Sequence, residues 1–215
     1  LAGAPLYVVH VTTEGAIEAI RRAQLEGFPI FGETCTHYLT LTTDNLAKPG
    51  FEGAKYVCSP ALRGQEDLDA LWDAINQGVL NAISSDHCGF NYSVHKQQGK
   101  DDFTMIPNGA PGMQDRMQVV WTYGVATGKI SRQKYVEVCC TNPAKNNGIY
   151  PQKGSLSIGA DADIMIFDPD YEGVFSVKNS LQGVDYNAYE GMKQSGRVEK
   201  VFLRGNLVAD CGKYT

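Results

Sequence analysis

The sequence lacks a cluster of basic residues, a long apolar run and a basic N-terminal start. Across 215 residues the formal net charge is −5, so the charge does not indicate a nucleic-acid partner. The apolar runs are far too short to span a bilayer, and residues 1–9 lack the basic start of a signal peptide. The remaining composition is that of an ordinary soluble protein, which we expect in the cytoplasm.

A C-x-x-C motif and a starting methionine are also missing. The six cysteines show no C-x-x-C motif and no regular spacing, so without a secretory signal we expect reduced thiols, most of them buried. They are Cys35, Cys58, Cys88, Cys139, Cys140 and Cys211. The chain begins at Leu1, a few residues before a predicted strand, and we therefore expect further chain upstream.

The first part of the chain alternates between strand and helix patterns. Residues 6–9 (LYVV) are β-branched and aromatic, which predicts a strand. Thr13 is a suitable N-cap for the helix EGAIEAIRRAQLEG, and Gly27 ends that helix. Residues 28–34 form the next predicted strand. Strand, helix and strand at this spacing predict a βαβ unit with parallel strands, and hence an α/β fold.

A second repeat of the same kind follows. The sequence predicts a short strand at residues 55–58 and an amphipathic helix at residues 65–76, which Gly78 ends. Residues 81–85 are a short apolar run, which fits a buried strand better than a helix. The alternation therefore continues as far as the end of this run.

Two predicted strands end in residues that are suited to chemistry. His10 follows the first strand, and Asp86 follows the 81–85 strand. Active sites of parallel α/β proteins lie at the carboxyl ends of strands, where an Asp can ligate a metal or transfer a proton. Each residue also has a structural alternative, since a strand-end His often only packs and an Asp can cap a turn. The local pattern leaves both alternatives open.

After Asp86 the alternation stops. Residues 90–105 are polar with scattered aromatic residues and no clear period, and a loop of this length is either functional or disordered. The Asn108–Gly109 pair in IPNGAPGMQDR marks a tight turn. This turn is either a plain turn or a rim loop that holds a polar substrate with its main chain.

Two further helices are predicted before the character of the chain changes. Residues 114–125 form the first and residues 131–140 the second, with Ser131 as its N-cap. The string Thr141-Asn142-Pro143 ends or restarts the second helix.

The last part of the chain is rich in β signals. The sequence predicts a strand at residues 163–168 and a hairpin whose strands are residues 198–203 and 207–209, joined by a turn at Arg204-Gly205-Asn206. One strand and a hairpin do not make a stable sheet alone, so this part needs partners from elsewhere. We place a domain boundary near residues 150–151.

Several strings of the sequence together resemble one family. They are YVVHVTT, FGETCTHYLTLT, FEGAKYVCSPALR, AISSDHCGFN, GKDDFTMIPNGAPGMQDR, TNPAKNNGIYPQKGSLSIGADADIMIFDP and VFLRGNLV. In this order and spacing they resemble dihydropyrimidinases and D-hydantoinases, which are cyclic-amide hydrolases of the amidohydrolase superfamily. The resemblance implies the later part of a (β/α)8 TIM-type barrel (residues 1–150, about strands six to eight) and part of a small C-terminal β-sandwich (residues 151–215).

The resemblance also implies site residues. His10 matches the metal-binding His at the end of the sixth strand, and Asp86 matches the eighth-strand Asp that binds metal and handles the proton. Ser59 and Asn108 match positions that hold the ring amide of the substrate, chiefly through backbone groups. His37 matches a seventh-strand position with no metal role, and we leave it out of the metal set.

The cofactors implied are two divalent metal ions, usually zinc, bridged by a hydroxide. The family's H-x-H pair, its carboxylated bridging Lys and its fifth-strand His have no counterpart here, so two of six ligand positions are present. Because a catalytic zinc usually has three protein ligands, we expect this chain alone to be inactive. His87 is next to the ligand Asp86, and we interpret it at best as a residue that supports the metal ligands without binding the metal itself. We interpret His95 as solvated.

The function implied is hydrolytic opening of dihydropyrimidines and 5-substituted hydantoins to N-carbamoyl amino acids, as in pyrimidine catabolism. The partner is then a small cyclic amide or ureide, and the complete enzyme is expected to be a homotetramer. One alternative is a dihydroorotase- or allantoinase-type cyclic amidase, although HCGFN and IPNGAPGMQDR fit the dihydropyrimidinase branch better. Another is a non-catalytic dihydropyrimidinase-like protein. As a free-standing chain, it would be an incomplete barrel with exposed strand edges.

Overall fold

A computed structural model describes residues 3–215. The chain divides into two compact units. The first comprises Leu1–Arg116 and Phe175–Met192, and the second comprises Met117–Val174 and Lys193–Thr215. The predicted division into residues 1–150 and 151–215 concerns the domains of the longer family and stays a prediction.

The first unit is built on a parallel sheet. Its strands are β1 (Leu6–Val8), β2 (Ile30–Cys35) and β3 (Ala82–Ser84), in the order β1-β2-β3, and both neighbouring pairs are parallel. Helix α1 (Glu14–Leu25) connects β1 to β2. Between β2 and β3 the chain forms α2 (Thr43–Leu46) and α3 (Gln65–Gln77). The α/β class and the parallel pairing predicted from the sequence are confirmed.

The ends of the two long helices follow the predicted signals. The Thr13 side chain accepts a hydrogen bond from the Ala16 N–H at 3.2 Å and caps α1. Helix α3 ends at Gly78, whose φ of 80° places it in the left-handed conformation that glycine adopts without a steric cost. Both helices bury an apolar face in the first unit, and this packing supplies most of their stability.

The strand predicted at residues 55–58 is wrong. The structure has a 3-10 helix at Glu52–Tyr56, with the Ala54 N–H donating to the Phe51 carbonyl at 3.1 Å. Gly53 lies so close to Leu46 that an added Cβ would stand 2.1 Å from the Leu46 carbonyl oxygen. A run of four residues does not contain enough periodicity to distinguish a strand from such a turn.

The long segment at residues 90–105 is ordered. It contains two short 3-10 turns, Lys96–Gly99 and Phe103–Met105. The Asp185 carboxylate accepts hydrogen bonds from the Tyr92 N–H at 2.6 Å and the Ser93 N–H at 2.9 Å. Residues from the Phe175–Met192 part of the first unit therefore hold this segment.

The second unit contains the two later helices, each interrupted by a π-helical turn. Helix α4 (Arg116–Val120) leads into a π turn at Trp121–Val125, and α5 (Arg132–Val136) leads into one at Glu137–Thr141. Helix α6 (Asn142–Asn146) follows directly, so the chain restarts a helix there rather than ending it. Because a proline at the start of α6 has no N–H to donate to the preceding turn, the regular hydrogen-bond ladder cannot continue across it.

The second unit also contains an antiparallel sheet. Its strands are β4 (Ile164–Val174), β5 (Lys193–Leu203), β6 (Asn206–Asp210) and β7 (Lys213–Tyr214), in sequence order. The predicted strand and hairpin are confirmed, with β4 and β5 longer than predicted. Arg204 and Gly205 form the hairpin turn with φ angles of 49° and 81°, as required for a two-residue turn of the I′ type.

The cysteines are all free, and three of the six are buried: Cys35, Cys58 and Cys139. Cys140 is half-buried, and Cys88 and Cys211 are exposed, so fewer are buried than predicted. Over residues 3–215, no helix is both long enough and apolar enough to cross a membrane.

Candidate functional site

The carboxyl ends of the three parallel strands carry the titratable residues of the site. His10 lies two residues after the end of β1, His37 two residues after the end of β2, and Asp86 two residues after the end of β3. Because neighbouring parallel strands end at the same edge of a sheet, these residues lie along one edge.

His10 and Asp86 share an uncommon backbone conformation. Their φ angles are 43° and 41°, in the left-handed region that non-glycine residues rarely adopt. Such a conformation costs about 1–3 kcal/mol and persists where the surrounding structure enforces it, often at active sites. Both residues that the resemblance matches to metal ligands therefore occupy equivalent, strained positions.

Three of the four predicted site residues meet at one cavity of about 210 Å³. These three are Ser59, Asp86 and Asn108, and each is exposed. His10 is half-buried and does not line this cavity. The lining residues are His37, Cys58, Ser59, Asp86, Cys88, Asn108, Gly109 and Ala110. A ligand in this cavity would thus contact a carboxylate and two polar side chains.

His37 also lines the cavity, although the sequence analysis left it out of the metal set. Its side chain is 3% exposed, and its Nε2 has no hydrogen-bond partner among the described residues. Burial, reinforced by the nearby His10, lowers the pKa of His37 to about 4. The ring is therefore neutral at pH 7 and keeps a lone pair, and a buried ring nitrogen of this kind normally has a polar partner.

Cys35 lies beside His37 and Asp86. One potential metal-binding atom from each of these three residues lies within 4.8 Å of the other two. The Cys35 Sγ is hydrogen-bonded to the Ser84 hydroxyl at 3.3 Å, and burial raises the pKa of the Cys35 thiol to about 12. Because the thiolate is the form that binds metal, Cys35 is the weakest donor of the three.

These residues fit part of a site for a divalent metal ion. Imidazole nitrogens and carboxylate oxygens are common ligands of zinc, and the Nε2 of His37, a residue that lines the cavity, has no hydrogen-bond partner among the described residues. His10 stands at the same strand edge and is close enough to affect the pKa of His37. No metal-ligand motif surrounds His37 in the sequence, so only its burial in the fold indicates that it belongs to the site.

The loops around the cavity are held together by main-chain hydrogen bonds. The Cys88 N–H donates to the Ala110 carbonyl at 3.2 Å, and the Gly109 N–H donates to the Val57 carbonyl at 3.0 Å. Gly109 has a φ of 141°, and a Cβ there would lie 2.5 Å from the Cys88 carbonyl oxygen. Glycine is therefore required at this position for both conformational and steric reasons.

The remaining histidines support loops. The His87 Nδ1 accepts hydrogen bonds from the Gly112 N–H at 3.2 Å and the Met113 N–H at 3.4 Å. The His95 side chain is exposed, and its Nδ1 accepts a hydrogen bond from the Asn91 N–H at 2.9 Å. These contacts explain both residues without a direct part in the chemistry.

Comparison with known proteins identifies the family. The model of the amidohydrolase family matches residues 9–208. The chain is 49% identical over its whole length to a D-hydantoinase from Streptomyces coelicolor and 45% identical to one from Ralstonia pickettii, and it covers 46% and 47% of those proteins. The crystal structure of dihydropyrimidinase from Brevibacillus agri matches the whole chain with a TM-score of 0.98 at 45% identity.

The chain spans about half the length of the curated relatives that it matches. The family match nevertheless extends over both compact units, from the residue after β1 into β6. The chain belongs to the amidohydrolase family, and the resemblance to its dihydropyrimidinase and D-hydantoinase branch that was predicted from the sequence is confirmed.

Proposed function

We propose that the protein containing this chain hydrolyses cyclic amides, opening dihydropyrimidines and 5-substituted hydantoins to N-carbamoyl amino acids in pyrimidine catabolism. The observation that carries this proposal is the meeting of Asp86, Ser59 and Asn108 at one cavity. The relatives named D-hydantoinase and dihydropyrimidinase support the substrate class.

The proposal includes the architecture of the complete protein. Strands β1, β2 and β3 would be about the sixth to eighth strands of a (β/α)8 barrel, and residues 151–215 would be part of a β-sandwich. Among the described strands, β1 lies at the edge of the parallel sheet, and Leu6 and Val9 are about half exposed (53% and 45%). This exposure is consistent with a further strand beside β1.

Asp86 would move the proton in the reaction. Water attacks the carbonyl carbon of the ring amide, a C–O bond forms, and the ring C–N bond breaks. The Asp86 carboxylate would accept the proton of the attacking water and deliver it to the departing ring nitrogen, as a general base and then a general acid. Its position at a strand end, exposed to the cavity, leaves it accessible for both transfers.

Ser59 and Asn108 would bind and orient the ring. They lie in two separate loops that line the same cavity as Asp86, so they can contact the amide edge of a flat ring while the carboxylate faces the reacting carbon. Holding the substrate in this way contributes to rate by removing orientational freedom before the reaction.

His10 and Asp86 would hold divalent metal ions, and the family resemblance indicates two zinc ions, with the other ligands supplied outside this chain. When bound, such ions lower the pKa of water and polarise the ring carbonyl. Because one His and one Asp are too few to hold a catalytic zinc, we propose that this chain alone is inactive. We further propose that the complete protein is a cytoplasmic homotetramer.

The test uses a hybrid enzyme, in which residues 1–215 replace the matching part of the Streptomyces coelicolor D-hydantoinase. It is assayed with dihydrouracil, hydantoin, dihydroorotate and allantoin, and its metal content is measured. We expect hydrolysis of the first two compounds. Preference for dihydroorotate or allantoin would instead indicate a different cyclic amidase, and a metal-free, inactive hybrid would contradict the proposal.

In the hybrid, Asp86→Asn should lower kcat by about 10³-fold or more, because proton transfer by a positioned side chain contributes roughly 10²–10⁴-fold. Asp101→Asn is the matched control, since Asp101 is an exposed carboxylate outside the cavity. Metal content is measured in both variants to separate a lost ion from lost proton transfer. Near-normal turnover of Asp86→Asn would remove Asp86 from the mechanism.

A further inference from the structure

Lys96 is a lysine whose side chain is completely buried. It begins the Lys96–Gly99 turn in the long segment after β3, and its exposed area is 0%. A lysine is almost never fully buried unless its ammonium has partners. The burial therefore points to a specific set of contacts that keeps the charge away from water.

Those contacts are three backbone carbonyls. The Lys96 Nζ donates to the carbonyl oxygens of Val57 at 3.0 Å, Pro107 at 2.6 Å and Gly109 at 2.8 Å. An ammonium has three donors, so all of them are used. Hydrogen bonds from a charged donor are roughly twice as strong as neutral ones, which makes this the strongest polar connection between the two segments concerned.

The two segments carry the residues that would bind the substrate. Val57 lies two residues before Ser59, and Pro107 and Gly109 stand on either side of Asn108. Lys96 itself does not line the cavity. Its ammonium therefore connects the two loops from outside the space that a ligand would occupy.

The same contacts determine which way the peptide groups face. The carbonyl and the following N–H of a trans peptide point in opposite directions. Because the Pro107 carbonyl points to Lys96, the Asn108 N–H is turned away from Lys96. That N–H donates to no acceptor among the described residues, so it remains available to a carbonyl group on a ligand.

We propose that Lys96 is a positioning residue for substrate binding. Its ammonium fixes the spacing and the peptide orientation of the Ser59 and Asn108 segments, so that both present polar groups to a cyclic amide or ureide in the cavity with Asp86. The inference rests on the proposed function, and it adds a residue that does not touch the substrate. Methionine would keep the length and apolar stem of this side chain while removing the ammonium, so the Pro107 and Gly109 carbonyls would lose this donor and the Val57 carbonyl would keep only the Gly109 N–H.

The experiment compares Lys96→Met with Lys100→Met in the hybrid enzyme. Lys100 is an exposed lysine of the same segment and serves as the matched control. We expect Lys96→Met to raise KM for dihydrouracil or hydantoin about tenfold or more and to change kcat by less than about threefold, because a loss of uniform binding appears in KM. Lys100→Met should leave both constants unchanged.

Hydrogen exchange supplies a readout that does not need substrate. The Gly109 N–H donates to the Val57 carbonyl, which also accepts from Lys96. We expect its exchange to be slow in the unmodified hybrid and at least tenfold faster in Lys96→Met, with amides of α1 unchanged. An equal rise in exchange throughout the protein, or a loss of kcat without a rise in KM, would show a general structural role and overturn the proposal.

The two proposals can fail separately. If the hybrid hydrolyses hydantoin but Lys96→Met keeps its KM and its Gly109 exchange, the role of Lys96 is wrong and the proposed function stands. If the hybrid hydrolyses no cyclic amide, the proposed function is wrong, and the proposal that Lys96 positions the substrate-binding segments is then wrong as well. If Lys96→Met does not fold, fast Gly109 exchange in the unmodified hybrid would still refute the inference.

Discussion

A substitution of Tyr189 tests how the Phe175–Met192 part of the first unit supports the end of β2. Its side chain is fully buried, and its hydroxyl donates to the Thr36 Oγ1 at 2.8 Å. Thr36 is also fully buried and stands between Cys35 and His37. Tyr189→Phe removes the donor while keeping the ring, so Thr36 loses this partner without a large change in packing.

The expected effect follows from the burial of both groups. A buried polar group left without its partner costs about 1–3 kcal/mol, and we expect about 1.5 kcal/mol for Tyr189→Phe. For a hybrid about twice the length of this chain, the entropy of unfolding is about 1 kcal/mol/K at roughly 2.1 cal/mol/K per residue. The midpoint of thermal unfolding should therefore fall by about 1.5 °C.

A double-mutant cycle measures the interaction itself. Thr36→Val should lower the midpoint by a similar amount, and the double variant should lie close to either single variant because the interaction is lost only once. Tyr123→Phe is the control, since the Tyr123 hydroxyl is hydrogen-bonded to a carbonyl but only half-buried. Strictly additive shifts would refute the claim that the two hydroxyls stabilise each other.

Two further changes test the loops and a buried carboxyl group. Burial raises the pKa of Asp115, so the folded state binds its proton more tightly than the unfolded state and the contribution of this group to stability falls as pH rises through that pKa. The free energy of unfolding of Asp115→Asn, measured in urea relative to that of the unmodified hybrid, should therefore rise between pH 4 and pH 7. A difference in free energy that stays constant over this range would contradict the prediction. In the hybrid, Gly109→Ala should raise KM about tenfold, because the added Cβ would clash with Cys88. Gly148→Ala is the control, since Gly148 has a positive φ but open space around it, and it should leave KM unchanged. Equal effects of the two substitutions on KM would contradict the steric argument.

The helices and strands were largely predictable because their signals are local. Thr13 before α1, Gly78 after α3 and the turn at Arg204 and Gly205 each fix a boundary through one residue's own conformation or hydrogen bond. The turn at Glu52–Tyr56 was not predictable, because its form depends on the close approach of Gly53 to Leu46 rather than on any pattern in its own sequence.

The site was predictable in part. His10 and Asp86 could be suspected from their places after strands, and Asn108 from its turn with Gly109, whereas Ser59 depended on the family resemblance. Neither source pointed to Lys96, since a lysine in a polar loop is ordinarily exposed. Its burial depends on three carbonyls from two distant segments, and no local pattern records such a meeting.

The left-handed backbone at His10 and Asp86 also restricts how this site could be redesigned. Of the natural amino acids, Gly, Asn, Asp and His adopt that conformation most readily, while β-branched residues are true outliers there. In a library that varies the two positions over all twenty residues, most variants would have a strained backbone at the end of β1 or β3. The residues that fold well at these positions include both the histidine and the carboxylate that metal chemistry uses, so backbone geometry narrows the choice before selection for activity begins.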